Sequence, residues 1–202
     1  MSWTGRETFD SNEHKPAVQY LQSPTILFSI ILVVTYVLVF FAPSIVELLL
    51  IQCNPCILMT PGWPWTPWTL VTSIFLHASP LHLASNIFFL LIFGYILEEQ
   101  LRNGKLWVEI FVLTGIAGNL SFLAAYALIG PDVGVFGVGA SGAVYGILGA
   151  AAGLKIAILL ILVAGLDIFA GGGFFAHIGG LITGIVIRKY WIAKANENIH
   201  GL

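Results

Sequence analysis

Between Thr25 and Ala42 the chain runs eighteen residues without one charged side chain. A helix crossing a bilayer needs about 20 mostly apolar residues, each rising about 1.5 Å. The pattern repeats: stretches free of Lys and Arg extend roughly over 25–43, 69–97, 106–129, 139–154, 156–170 and 174–187. Only 9% of the 202 residues are charged, about a third of the ~25% carried by an average soluble domain. That is too little to clothe a water-facing globule, so the composition argues against a soluble enzyme and a disordered tail protein. A net charge of −2 offers no basic patch for a nucleic acid. The expectation is an all-α membrane protein whose constant partner is the lipid bilayer.

Charge placement decides how many spans there are. Stretches 139–154 and 156–170 are short and separated by little more than Lys155, so one long kinked span competes with two. Lys and Arg in short connectors mark the cytoplasmic side. With six spans, Arg6, Lys15, Arg102, Lys105, Lys155, Arg188, Lys189 and Lys194 all fall on one side. The connectors 43–68, 129–138 and 166–173 hold none of them. Five spans would carry Arg188, Lys189 and Lys194 across the membrane. Six spans with both termini cytoplasmic is therefore expected, in the cell membrane. Residues 1–24 form a cytoplasmic tail without a secretory-signal pattern. The six-span unit covers 25–192, and 193–202 form a second cytoplasmic tail.

The outer connector 43–68 is long, apolar and rich in Trp, Pro and Cys. Prolines at 61, 64 and 67 deny it a long helix, and its indoles suit the membrane–water interface. It is read as embedded in the outer leaflet, either as an anchoring belt or against a working site. Cys53 and Cys56 cannot complete a four-ligand zinc site, and no His lies at the usual spacing. A local disulfide or two idle thiols is the reading, with no metal and no cofactor.

Polar residues inside spans are costly unless they find partners, so they mark function. The second stretch carries His77, His82 and Asn86, the last two on one helical face. The fourth opens Gly139-Ala140-Ser141-Gly142 and continues to Tyr145, and the sixth holds His177. A lone Ser or His in such a helix is more often structural, but depth couples these two. Spans four and six run in the same direction, and Ser141 and His177 lie two or three residues inside their outer ends. Small residues at four-residue spacing, Gly142, Gly146, Gly149 and Gly153 on one span and Gly180 and Gly184 on the other, favour a tight helix pair.

At this point the chain resembles the rhomboid family of intramembrane serine proteases. His82-Leu83-Ala84-Ser85-Asn86, Gly139-Ala140-Ser141-Gly142 and Ala176-His177-Ile178-Gly179-Gly180-Leu181-Ile182-Thr183-Gly184 look like its HxxxN, GxSG and AHxxGxxxG motifs, in order and on the matching spans. Pro67 to Ser73 and Phe75-Leu76-His77 resemble the family's approach to span two. The resemblance covers about 25–190 and implies the six-helix rhomboid bundle. It makes Ser141 the nucleophile and His177 the general base. His82, Asn86 and the Ser141 N–H become oxyanion donors, and Tyr145 packs on the His177 ring, with Gly139 supporting. Thr69 stands where many members have Arg.

The residues carry their own account. A Ser hydroxyl needs an adjacent base, and imidazole titrates near neutrality. Glu47, Glu98, Glu99, Glu109, Asp132 and Asp167 lie in connectors or at span ends, so a Ser–His dyad is expected in place of a triad. The soluble GxSxG elbow does not fit, since position 143 is Ala and no strand is expected before Ser141. The substrate implied is a transmembrane protein, of single-span type, cut where its helix unwinds near the outer surface. Span five, with Asp167 and the glycines 171–173 at its outer end, is the expected side door. A non-cleaving rhomboid-like binding protein is the alternative. A transporter would want intramembrane charges and an inverted repeat, and neither is visible.

Overall fold

The computed structural model describes residues 23–45, 49, 51–53, 67–129, 135–153 and 173–192. The expected fifth span, the Trp- and Pro-rich run 61–66, Cys56, Lys155, Asp167 and most of both tails lie outside them. Helix α1 covers Pro24–Phe41, α2 Thr69–Thr72, α3 Pro80–Leu101, α4 Gly104–Ile129, α5 Ser141–Ala152 and α6 Phe174–Ile187. Three of these, α1, α3 and the run Gly104–Leu128 of α4, are long and apolar enough to cross a membrane. Their outer faces keep large apolar side chains exposed, among them Leu38, Phe40, Phe41, Phe88 and Leu128. Such a surface suits lipid, not water.

Local chemistry sets the helix ends. Ser23 caps α1 by accepting the Ile26 N–H, with Pro24 in the first turn. Ser79 does the same for α3 through the His82 N–H, with Pro80 following. Both are the favoured pairing of a hydroxyl cap with a proline whose missing N–H costs nothing there. Pro80 also corrects the expected second span, 69–97. Its ring cannot follow a helical turn, and the residue before it avoids the α region; Ser79 is accordingly extended, at φ −154° and ψ 161°. The chain therefore forms α2 and a 3-10 turn over Ser73–Phe75, extends at Leu76, and starts α3 only at Pro80. His77 consequently precedes the helix. A π turn at Leu90–Gly94 interrupts α3, where the Gly94 carbonyl accepts the buried Trp107 indole N–H at 3.0 Å.

The helical expectation needs one addition. β1, Ile51–Cys53, pairs antiparallel with β2, Val135–Gly137, matching Gln52 with Phe136. Three residues a side are too few for alternation to be read from sequence. The ribbon joins the connectors 43–68 and 129–138, and it puts a short strand before Ser141 where none was expected.

The centre of the bundle is α4, α5 and α6. A methyl group on Gly180 would run into the Gly142 carbonyl, and one on Gly184 into the Gly146 carbonyl. Helices α5 and α6 thus lie side by side in parallel, backbone against backbone. Thr114 of α4 fills the space over Gly146, and Gly118 of α4 meets both Gly142 and the Ala176 carbonyl. At the far end, Arg188 Nη1 donates to the Ala150 and Ala151 carbonyls at 2.6 and 2.9 Å and to Gln100 Oε1 at 2.9 Å. A cation on the last carbonyls of α5 also suits the helix dipole. Nearby, Ser23 Oγ donates to Glu98 Oε2 at 2.7 Å. Every charged residue among the described ones, Glu98, Glu99, Arg102, Lys105, Glu109, Arg188 and Lys189, belongs to this end.

Gly180→Ala should therefore lower stability by about 1–3 kcal/mol, the range for overpacking a tight contact. Gly104→Ala, where the nearest atom to an added methyl is 3.9 Å away, should be nearly neutral. Denaturation in detergent checks both; equal effects would mean that α5 and α6 do not touch through Gly180.

Candidate active site

Parallel packing of α5 and α6 brings their first turns together. Ser141 is the first residue of α5 and is half-buried. His177, buried in the first turn of α6, donates its backbone N–H to the Gly173 carbonyl at 2.9 Å. Long side chains lean toward the N-terminus of their helix, so Tyr145 reaches back over the turn that begins at Ser141. Its ring stacks on the His177 imidazole at 4.4 Å between centroids and 7° between planes. Gly173 lets the imidazole lie against the backbone: a methyl there would sit 2.5 Å from both Cε1 and Nε2. The stack sets the plane of the ring, and Gly173 admits its edge.

His82 and Asn86 approach from α3. Gly139, two residues before Ser141, has φ +125°, a conformation that side chains rarely adopt. A methyl group on it would lie 2.7–2.8 Å from Cε1 and Nε2 of His82. The His82 ring is therefore seated on the backbone leading into α5. Asn86, buried one turn later, donates Nδ2–H to the His82 carbonyl at 2.8 Å. His77 lies off the helix and buried, its ring 5.1 Å from that of His82.

The first-turn amides of α5 have no carbonyl one turn back to bond, and Ala140 offers them no side-chain cap. They form a small positive site at Ser141. Among the described residues the carboxylates are Glu98, Glu99 and Glu109, all at the opposite, charged end. No group of three His, Cys, Asp or Glu among the described residues is placed to hold a metal ion. The β2 strand now precedes Ser141, but Ala143 still departs from the GxSxG elbow.

Sequence reading missed the contribution of α4. Gly118 forms the floor where α4, α5 and α6 meet, and Asn119 beside it is buried and donates Nδ2–H to Leu70 O and Ser73 Oγ. The signal was present: Asn119 is a polar side chain well inside the third stretch, and such residues need partners.

The family model for the Rhomboid domain matches residues 64–194, which include Ser141, His177, His82, Asn86, Gly139 and Tyr145. Rhomboid-like protein 11, chloroplastic, of Arabidopsis thaliana is 33% identical over 145 residues, 69% of this chain and 48% of that one. Rhomboid-like protease 3 of Toxoplasma gondii is 32% identical over 144 residues, 61% of this chain and 51% of that one. Rhomboid protease GlpG of Salmonella choleraesuis (strain SC-B67) is 30% identical over 183 residues, 78% of this chain and 60% of that one. The chain spans about half the length of the curated relatives it matches.

Gly139→Ala meets two obstacles at once, the positive φ and the His82 ring. It should cost about 1–3 kcal/mol in detergent denaturation from backbone strain alone, and more if His82 cannot move. A neutral result would mean that the segment before Ser141 is not held as described.

Proposed function

The chain belongs to the rhomboid family, and from that premise we propose that this multi-pass membrane protein is an intramembrane serine endopeptidase working through Ser141 and His177. One observation carries the reading: α5 and α6 start at a common level, with His177 stacked on Tyr145 one turn after Ser141.

The reaction divides into two acyl transfers. Ser141 Oγ attacks the scissile carbonyl while His177 accepts its proton; a carbon–oxygen bond forms and the carbonyl oxygen takes the negative charge. His82, Asn86 and the Ser141 N–H stabilise that oxyanion, and a preorganised donor of this kind is worth about 2.7–4 kcal/mol. The tetrahedral species collapses, the carbon–nitrogen bond breaks, and the imidazolium gives its proton to the leaving amine. Water then attacks the acyl-enzyme by the same proton route and returns the free Ser141 hydroxyl. No carboxylate is assigned to orient the imidazole. The Tyr145 stack and the Gly173 seat do so by shape.

The finer placement belongs to the same proposal. Six spans cross the membrane over 25–192, between cytoplasmic tails 1–24 and 193–202, and the loop 43–68 is embedded in the outer leaflet. The charged end of the bundle supports a cytoplasmic assignment for that end by the positive-inside rule. The β1–β2 ribbon supports a shared side for connectors 43–68 and 129–138. The substrate class is a single-span membrane protein cut near the outer end of its helix, where Gly, Pro or polar residues expose carbonyls. The membrane is the cell membrane.

Ser141→Ala and His177→Ala should each abolish cleavage of a labelled single-span substrate in liposomes while the protein still folds. His82→Ala and Asn86→Ala should lower kcat more than they raise KM, because the oxyanion exists only near the transition state. Wild-type turnover in either dyad variant removes the assignment. No cleavage by the unmodified protein would favour the non-cleaving alternative.

The topology has its own test. With Cys53 and Cys56 replaced, a single cysteine at Asp132 should react with an impermeant thiol reagent in intact cells. One placed after Lys194 should not. Labelling of the C-terminal site would overturn the six-span count with both termini cytoplasmic.

A further inference from the structure

A buried polar chain behind the site has no part in the chemistry just described. Asn119, on α4 beside the Gly118 floor, donates Nδ2–H to the Leu70 carbonyl at 2.8 Å and to Ser73 Oγ at 3.0 Å. A carbonyl can only accept, so the amide nitrogen must face Leu70. Ser73 is 1% exposed, and its carbonyl accepts two N–H groups, from Leu76 at 3.2 Å and from Gly139 at 2.9 Å. Gly139 is the residue whose backbone seats the His82 ring and leads into Ser141. The hydrogen bonds thus run from the interior of α4, through the turn that precedes α3, to the segment that carries the nucleophile.

Burying an amide and a hydroxyl this deeply is favourable only while each is bonded. Each link therefore holds the next in place, and a change at Asn119 is felt at Gly139. We propose that Asn119, acting through Ser73, is a positioning residue that fixes the Gly139 backbone, and with it the placement of Ser141 relative to His82. The inference rests on the protease reading, since Ser141 is taken there as the nucleophile. Asn119 itself touches no reacting atom.

The test compares Asn119→Ala and Ser73→Ala with Trp107→Phe, which breaks the Trp107–Gly94 bond at the opposite, charged end of the bundle. Turnover is measured per folded molecule on a labelled single-span substrate in liposomes, and amide hydrogen exchange on the peptide containing Gly139. Both relay variants should lower kcat about tenfold with KM unchanged within twofold, and the Gly139 amide should exchange at least tenfold faster. The double variant should be little worse than the more damaged single one, as expected for coupled residues. Trp107→Phe should lower the unfolding temperature while leaving kcat and Gly139 exchange as they were. If Asn119→Ala does not fold, Ser73→Ala, which deletes one oxygen, carries the comparison alone. Equal loss of kcat in Trp107→Phe, or Gly139 exchange unchanged in the relay variants, overturns the proposal. Should the unmodified protein cleave nothing, the protease reading fails by itself, and the exchange measurement still decides whether the relay holds Gly139.

Discussion

The contact on which the rest of this molecule depends is backbone against backbone: Gly180 on the Gly142 carbonyl and Gly184 on the Gly146 carbonyl. In lipid, helices gain nothing from hiding apolar side chains, because the solvent is itself apolar. Association relies on close van der Waals packing and polar contacts, which small residues allow. Removing the side chains brings the α5 and α6 axes close enough for one ring stack to bridge them at the top and one guanidinium to tie them at the bottom. Ser141 and His177 share a level because the helices carrying them are in register, and the register is set by glycines that take no part in the chemistry.

Polarity is divided between the two ends of the bundle. The described charges gather where α3 turns into α4 and where α5 and α6 finish, with Arg188 closing the carbonyl end of α5. The opposite end carries polar groups other than carboxylates, Lys and Arg: His82, Asn86, Ser141, His177, Asn119 and Ser73. That division follows from cost. A charge demands water or a partner, whereas a neutral amide, hydroxyl or imidazole can be buried against one or two hydrogen bonds. Among the described residues no carboxylate lies at that end, and under the proposed function the stack on Tyr145 is what orients the His177 imidazole. The Gly139 N–H is bonded there to the Ser73 carbonyl, and the Ser73 hydroxyl to the Asn119 amide, all uncharged groups.

The helices at the site also show how proline edits an apolar stretch. Hydropathy joins residues 69–97 into one span, but Pro80 and the extended Ser79 divide it. The α2 turn then sits beside α4, where Asn119 reaches it, and His77 is left off the helix beside His82. The same break leaves the Ser73 carbonyl at the end of a short turn, where it accepts the Gly139 N–H as well as that of Leu76.

Legible in the sequence were a membrane setting, the boundaries of α1, α4, α5 and α6 to within a few residues, and small residues spaced for close packing on α5 and α6. Those features are local or periodic: apolar length, charge placement, four-residue spacing and short motifs need no knowledge of what lies across the fold. Only the tertiary structure decided what the local patterns could not carry. The start of α3, the β1–β2 ribbon and the Gly139–His82 seat each depend on partners distant in sequence. So does the relay from Asn119 to Ser73, 46 residues apart. A hydrogen bond is specified by where two groups end up in space, and a one-dimensional pattern records that a buried amide must find a partner without saying which one.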